Sequence, residues 1–114
     1  MTDKETIEKY IMEFALNEEP LYIIISAVME EGLCETPREV VAILVEMFKK
    51  GYLVACSLSG IGGDQYVEVK DLDENEIYSI IEKRKDFKEY PEGKEFFFQT
   101  SEKAIGRFKE EIGL

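Results

Sequence analysis

Histidine is missing from this 114-residue chain. Its absence removes the commonest general base, proton shuttle and metal ligand, and it excludes nucleophilic triads that depend on imidazole. Carboxylates are plentiful, but no nucleophile and base can be nominated together, and nothing in the sequence indicates a pocket that would shift one pKa against another. We therefore predict no catalytic residue, no metal, no cofactor and no enzymatic activity.

Long apolar runs are also missing. Apolar runs such as residues 21–25 are too short to span a bilayer, and the polar residues 1–5 are not followed by the apolar stretch of a signal peptide. The two cysteines, Cys34 and Cys56, lie far apart in a chain large enough to fold without disulfides, so we interpret both as reduced thiols in or near the core. We expect a cytoplasmic protein that has no membrane partner.

Basic residues are scarce, with 14 Lys and Arg against 25 Asp and Glu and a formal net charge of -11. Residues 1–50 hold eleven acids and five bases, residues 51–81 hold six and one, and residues 82–114 hold eight of each. A surface acidic over its first two thirds repels phosphate backbones and attracts basic partners. The alternative interpretation is that this charge only keeps the protein soluble.

Apolar residues at three- and four-residue spacing predict a first, amphipathic helix over residues 3–17, whose apolar stripe consists of Ile7, Tyr10, Ile11 and Phe14. Pro20 is expected at the first position of a second helix, which continues to about residue 31. A third helix is expected to begin after Thr36, a cap residue followed by proline and, three residues on, by glutamate. It should end at Gly51, after two lysines.

The second half of the chain changes period. Residues 52–58 and 65–70 indicate two strands joined by a glycine-rich turn, as in a β-hairpin. Asp73 is expected to cap a short helix, an interpretation we prefer to a calcium loop because glutamate stands where such a loop needs glycine. A turn at residues 90–93, an aromatic strand and a last helix capped by Thr100 complete a single domain over residues 1–114.

Two stretches of the sequence resemble a known family. Residues 36–54, TPREVVAILVEMFKKGYLV, look like the recognition helix and following strand of small bacterial and archaeal winged-helix regulators. Residues 96–100, FFFQT, are similar to the aromatic strand and threonine cap that close many such domains. The resemblance implies an α+β winged helix-turn-helix fold: three N-terminal helices, a β-hairpin wing, an inserted short helix, a closing strand and a C-terminal helix. The sequence departs from the pattern at the inserted segment, residues 71–90, and at Lys103, where the family often has glycine.

DNA-binding members of that family contact base edges with the exposed face of the third helix and contact phosphates with nearby cations. Near the expected face this chain has only four cations, and its wing, residues 58–65, has none. The candidate nucleic-acid-binding residues are Arg38, Lys49, Lys50 and Lys70. So few cations disfavour duplex binding by one chain, and the DNA-binding alternative is therefore a transcriptional regulator that acts as a homodimer.

Our preferred prediction is a protein-binding module whose acidic helical face docks a basic protein. An immunity protein or antitoxin that neutralises a nuclease-like toxin is one concrete form of it. The candidate partner-binding residues are Glu18, Glu19, Glu30, Glu31, Glu35 and Glu39.

Overall fold

The computed structural model of the protein describes residues 4–59, 65–82 and 94–108. Over these residues the chain has an α+β fold with five helices and a four-stranded antiparallel sheet. The elements, in chain order, are α1 (Lys4–Phe14), β1 (Glu19–Pro20), α2 (Leu21–Glu30), α3 (Pro37–Lys49), β2 (Leu53–Ser59), β3 (Gln65–Val69), α4 (Glu74–Glu82), β4 (Lys94–Thr100) and α5 (Glu102–Phe108).

The sheet has the strand order β1-β4-β2-β3. Strand β2 pairs with β3 from Ala55↔Val69 to Ser59↔Gln65, which confirms the two strands of the predicted hairpin. On its other side β2 pairs with β4 over its whole length, and the two residues of β1 extend the sheet beyond β4. The predicted hairpin turn at residues 60–64 and the predicted turn at 90–93 lie outside the described residues.

The core lies between the helices and one face of the sheet. Alternate residues of β4 and β2 face it, since Phe96, Phe98, Leu53 and Ala55 are all buried. Helices α2 and α3 pack on these strands and contribute buried aliphatic side chains such as Leu44. The helical layer therefore buries its apolar faces against the two central strands, while its outer surface carries the charges.

Local capping signals place two helix starts as predicted. The backbone N–H of Glu39 donates to Thr36 Oγ1 at 3.3 Å, so Thr36 caps α3. The carboxylate of Asp73 accepts from the backbone N–H of Asn75 at 2.9 Å, immediately before α4 begins. At the other end of α3, Gly51 adopts a φ of 82°, the left-handed conformation expected after a helix C-terminus.

Three local predictions were wrong. The first helix ends at Phe14, because the next turn tightens. Pro20 precedes α2 as its N-cap, and the extended backbone of that position, with φ -72° and ψ 154°, also lets Pro20 pair with β4. Thr100 does not cap α5. Its hydroxyl donates to the backbone carbonyl of Met12, and Ser101 Oγ accepts from the N–H of Ala104 at 3.1 Å instead.

The winged helix-turn-helix topology stays a prediction that is compatible with this α+β architecture. Both cysteines are free thiols, with Cys34 buried and Cys56 half-buried. Among the described helices, none has the length and apolar character needed to cross a membrane.

Candidate protein-binding groove

Helices α1 and α2 leave an open groove of about 310 Å³ between them. Tyr10 and Phe14 of α1, one helical turn apart, form one wall. The lining from α2 and its C-cap consists of Tyr22, Ile23, Ser26, Ala27, Glu30 and Glu31. The exposed surface of the groove is mainly apolar, and its two carboxylates come from the end of α2.

The two rings of the aromatic wall contact each other. The rings of Tyr10 and Phe14 are stacked, with centroids 6.1 Å apart and planes inclined by 19°. A second pocket of about 330 Å³ is lined by the same two residues and by Glu13. Tyr10 and Phe14 therefore contribute to both pockets, and each pocket also has an acidic residue in its lining.

The carboxylates act on the aromatic wall electrostatically. Burial raises the pKa of the Tyr10 hydroxyl, and the negative charges of Glu31, Glu30 and Glu13 raise it further. A negative charge at this hydroxyl is thus disfavoured both by its surroundings and by its neighbours. The same potential favours a cation that enters the groove.

The six predicted partner-binding glutamates lie in three places along the chain. Glu18 and Glu19 precede α2, and Glu30 and Glu31 end it, roughly 15 Å away for a helix of this length. Glu35 and Glu39 begin α3. Only Glu30 and Glu31 line the groove.

Glu39 also has a structural role. Its carboxylate accepts from the backbone N–H of Glu35 and from Thr36 Oγ1, both at 3.5 Å. Its charge, after burial, raises the pKa of the Cys34 thiol. Glu39 therefore helps to hold the start of α3, so we expect its substitution to change stability as well as surface charge.

Two of the four predicted nucleic-acid-binding cations are held by neighbouring side chains. The guanidinium of Arg38 lies over the ring of Tyr78 in α4, 4.8 Å from its centroid. Lys50 Nζ lies 3.1 Å from Glu46 Oε1 and 3.4 Å from Glu8 Oε2. The hydrogen bond to Glu46 is the main reason that the pKa of Lys50 is raised; burial opposes it, and the charge and hydrogen bond of Glu8 and the charge of Glu46 add to it.

Lys49 and Lys70 are exposed, one in the last turn of α3 and the other just after β3. Glu46, beside Lys49 on the same helix, is paired with Lys4 as well as with Lys50, and these contacts lower the pKa of its carboxyl. Acidic side chains therefore lie among the predicted cations at the C-terminal end of α3.

A second group of cations surrounds Tyr52 at the end of α3. Lys103 Nζ donates to the carbonyl of Lys50 at 3.0 Å, and Arg107 Nη1 donates to the Tyr52 hydroxyl at 2.8 Å. Ser101 Oγ also donates to the Gly51 carbonyl at 2.6 Å. These side chains attach α5 to the C-terminus of α3, where cations and donors satisfy otherwise unpaired carbonyls.

The groove combines aromatic rings with two carboxylates. Within residues 4–59, 65–82 and 94–108, no three His, Cys, Asp or Glu side chains come together as a metal site would require. The aromatic residues of the groove were not among the predicted site residues, because their spacing assigned Tyr10 and Phe14 to the apolar stripe of an amphipathic helix. Ile7 and Ile11 are buried, but the two aromatic residues are only half-buried. The available signal was a pair of aromatics four residues apart beside Glu13.

Comparisons with protein-family models, with curated proteins and with solved structures find no match to this chain. The groove and its charges therefore carry the functional argument.

Proposed function

We propose that this chain is a non-enzymatic, cytoplasmic winged-helix module that binds a basic protein through the α1–α2 groove and the acidic end of α2. An immunity protein or antitoxin that covers a nuclease-like toxin is the concrete form that we favour. The observation that carries the proposal is the joint lining of one apolar groove by Glu30 and Glu31 with three aromatic residues.

Charge and shape support the same partner. A net charge of -11 draws a basic protein towards the surface at long range. At short range the half-buried aromatic side chains supply contact area of the kind that dominates binding energy, because large rings lose little entropy when they are covered. A phosphate backbone, in contrast, is repelled by the same surface, because both are negatively charged.

The alternative is a homodimeric DNA-binding regulator that uses Arg38, Lys49, Lys50 and Lys70. The exposure of Lys49 and Lys70 is the observation in its favour. Against it, Arg38 is stacked on Tyr78, and Lys50 is paired with two carboxylates. Duplex binding would have to displace these contacts in addition to overcoming the acidic surface.

Affinity capture from lysate of the source organism tests the proposal with three forms of the protein. The first is the native chain, and the second carries Glu30→Gln and Glu31→Gln. The third carries Glu68→Gln and Asp71→Asn, which change the net charge equally at exposed positions outside the groove. We expect the first and third forms to retain one basic protein after nuclease treatment, and the second form not to capture it. High salt should release that protein from the first and third forms.

Capture of a basic protein equally by all three forms would refute binding at the groove. Recovery of DNA fragments enriched in one sequence, together with a two-fold dimer in solution, would replace the proposal with the regulator.

A further inference from the structure

We propose that the α1–α2 groove binds an arginine side chain of the partner, with the guanidinium group against the aromatic wall and paired with Glu30 or Glu31. This inference rests on the proposed function and specifies the chemistry that the site recognises. It commits to arginine rather than to lysine or to a purely apolar residue.

The composition of the groove favours an amphipathic occupant. Ile23 and Ala27 offer apolar surface to an aliphatic stem, and the carboxylates of Glu30 and Glu31 lie at the end of the same helix. No lysine or arginine is among the described residues that line it. A long side chain with an apolar stem and a cationic head matches this gradient from apolar to acidic.

The aromatic wall favours arginine over lysine. Tyr10 and Phe14 present a pair of nearly parallel rings, and a planar guanidinium stacks on such faces more readily than a compact ammonium does. Arginine also meets a carboxylate with two parallel hydrogen bonds, whereas lysine acts as a point charge. The chain itself places a guanidinium on an aromatic face, since Arg38 lies over the ring of Tyr78.

The size of the groove limits what it holds. A volume of about 310 Å³ lies at the small end of the range for ligand sites, which runs from roughly 300 to 1,000 Å³. That space suits one or two side chains, so the remainder of the partner would lie on the surrounding acidic surface. The groove thus selects the partner by a small number of inserted side chains, and the wider charge increases the rate of association.

The test is a titration of the full chain with three synthetic nonapeptides, in which the NMR signals of the backbone and of the tyrosine side chains are monitored. The peptides are identical except at the central residue, which is arginine, lysine or citrulline. Citrulline keeps the shape of arginine and removes its charge. We expect shifts at Tyr10, Tyr22 and Ile23 with the arginine peptide, and affinity weaker by roughly fivefold or more for the other two.

Two variants of the chain locate the site. Ala27→Leu fills the groove without changing charge, and Ala42→Leu adds the same group at a half-buried position on α3, outside the groove. The double variant Glu30→Gln, Glu31→Gln removes the two carboxylates at exposed positions. It locates the site even if the Ala27→Leu variant does not fold. We expect Ala27→Leu and the double variant to abolish the shifts and Ala42→Leu to leave them unchanged.

Equal affinity for the three peptides, or binding that survives both groove variants, would overturn the arginine assignment. Failure of this inference is distinguishable from failure of the proposed function. If lysate capture still depends on Glu30 and Glu31 while no peptide shifts the groove signals, the arginine site is refuted and the protein-binding function stands. If the arginine peptide binds as expected but no basic protein is captured, the proposed function fails and the site chemistry remains supported.

Discussion

The hydroxyl of Thr100 connects the end of strand β4 to the end of helix α1, and its removal is the sharpest test of the packing described above. Thr100 is 5% exposed, and its Oγ1 donates to the carbonyl of Met12. In a continuing α-helix the N–H of Leu16 would donate to the Met12 carbonyl. It donates to the carbonyl of Glu13 instead, at 3.4 Å, which tightens the last turn. The Met12 carbonyl is thus an end carbonyl of α1 that a distant hydroxyl satisfies.

Thr100→Val is the informative substitution because valine has nearly the same shape as threonine and lacks the hydroxyl. The variant keeps the local packing and the backbone bond from Thr100 N–H to the Ala15 carbonyl, 2.9 Å long. It leaves the buried Met12 carbonyl without its donor, which costs about 1–3 kcal/mol. We expect a loss of about 2 kcal/mol in the free energy of unfolding, or roughly 8 °C in Tm for a chain of this size.

Urea unfolding followed by circular dichroism measures the loss, and Thr100→Ser is the matched control. Serine keeps the hydroxyl and removes one methyl group, so we expect it to cost about 1 kcal/mol. A valine variant that loses less stability than the serine variant, or less than about 0.5 kcal/mol, would refute the role assigned to this hydrogen bond.

Three other predictions follow from local geometry. Ser101→Ala should destabilise the protein by about 1–2 kcal/mol in the same assay, because it removes the cap of α5 and a donor to the Gly51 carbonyl; a neutral result would contradict the cap assignment. Gly51→Ala should cost about 1–2 kcal/mol because φ is positive there. Gly106→Ala, in a helix and with open space around it, should stabilise the protein by roughly 0.5–1 kcal/mol. A gain in stability at Gly51 or a loss at Gly106 would contradict the backbone conformations described here. Burial and then Glu74 raise the pKa of Tyr78, so the folded state holds this proton more tightly than the unfolded chain, and stability should fall as the pH rises above about 10. Tyr78→Phe should reduce that fall in alkaline urea titrations, and an unchanged pH profile would count against it.

The helix starts were predictable because their causes lie within a few residues. Thr36 and Asp73 each bind a backbone N–H two or three positions ahead, so the sequence pattern contains the whole interaction. The choice between Thr100 and Ser101 was not predictable in this way. Both carry hydroxyls beside the start of α5, and the docking of β4 on α1 directs the Thr100 hydroxyl to Met12.

The candidate site was predictable only in part. Glu30 and Glu31 were expected on an acidic surface, and they line the groove. Tyr10 and Phe14 were assigned only to the apolar stripe of an amphipathic helix, because periodicity identifies the apolar side of a helix but not how much of that side a neighbouring helix covers. Lys50 was expected to be available for phosphates, but Glu8, which is distant in sequence, lies close enough to pair with it.

The sequence by itself determined the order of the five described helices and of strands β2, β3 and β4, the excess of acidic charge and the lack of imidazole chemistry. These properties depend on composition, on residue spacing and on contacts between near neighbours in the chain. Only the tertiary structure decided which aromatic side chains remain at the surface, which cations are held by carboxylates and which hydroxyl caps a helix. Each of those outcomes depends on how separate elements pack, and packing brings together residues whose distance along the chain carries no information about their contact.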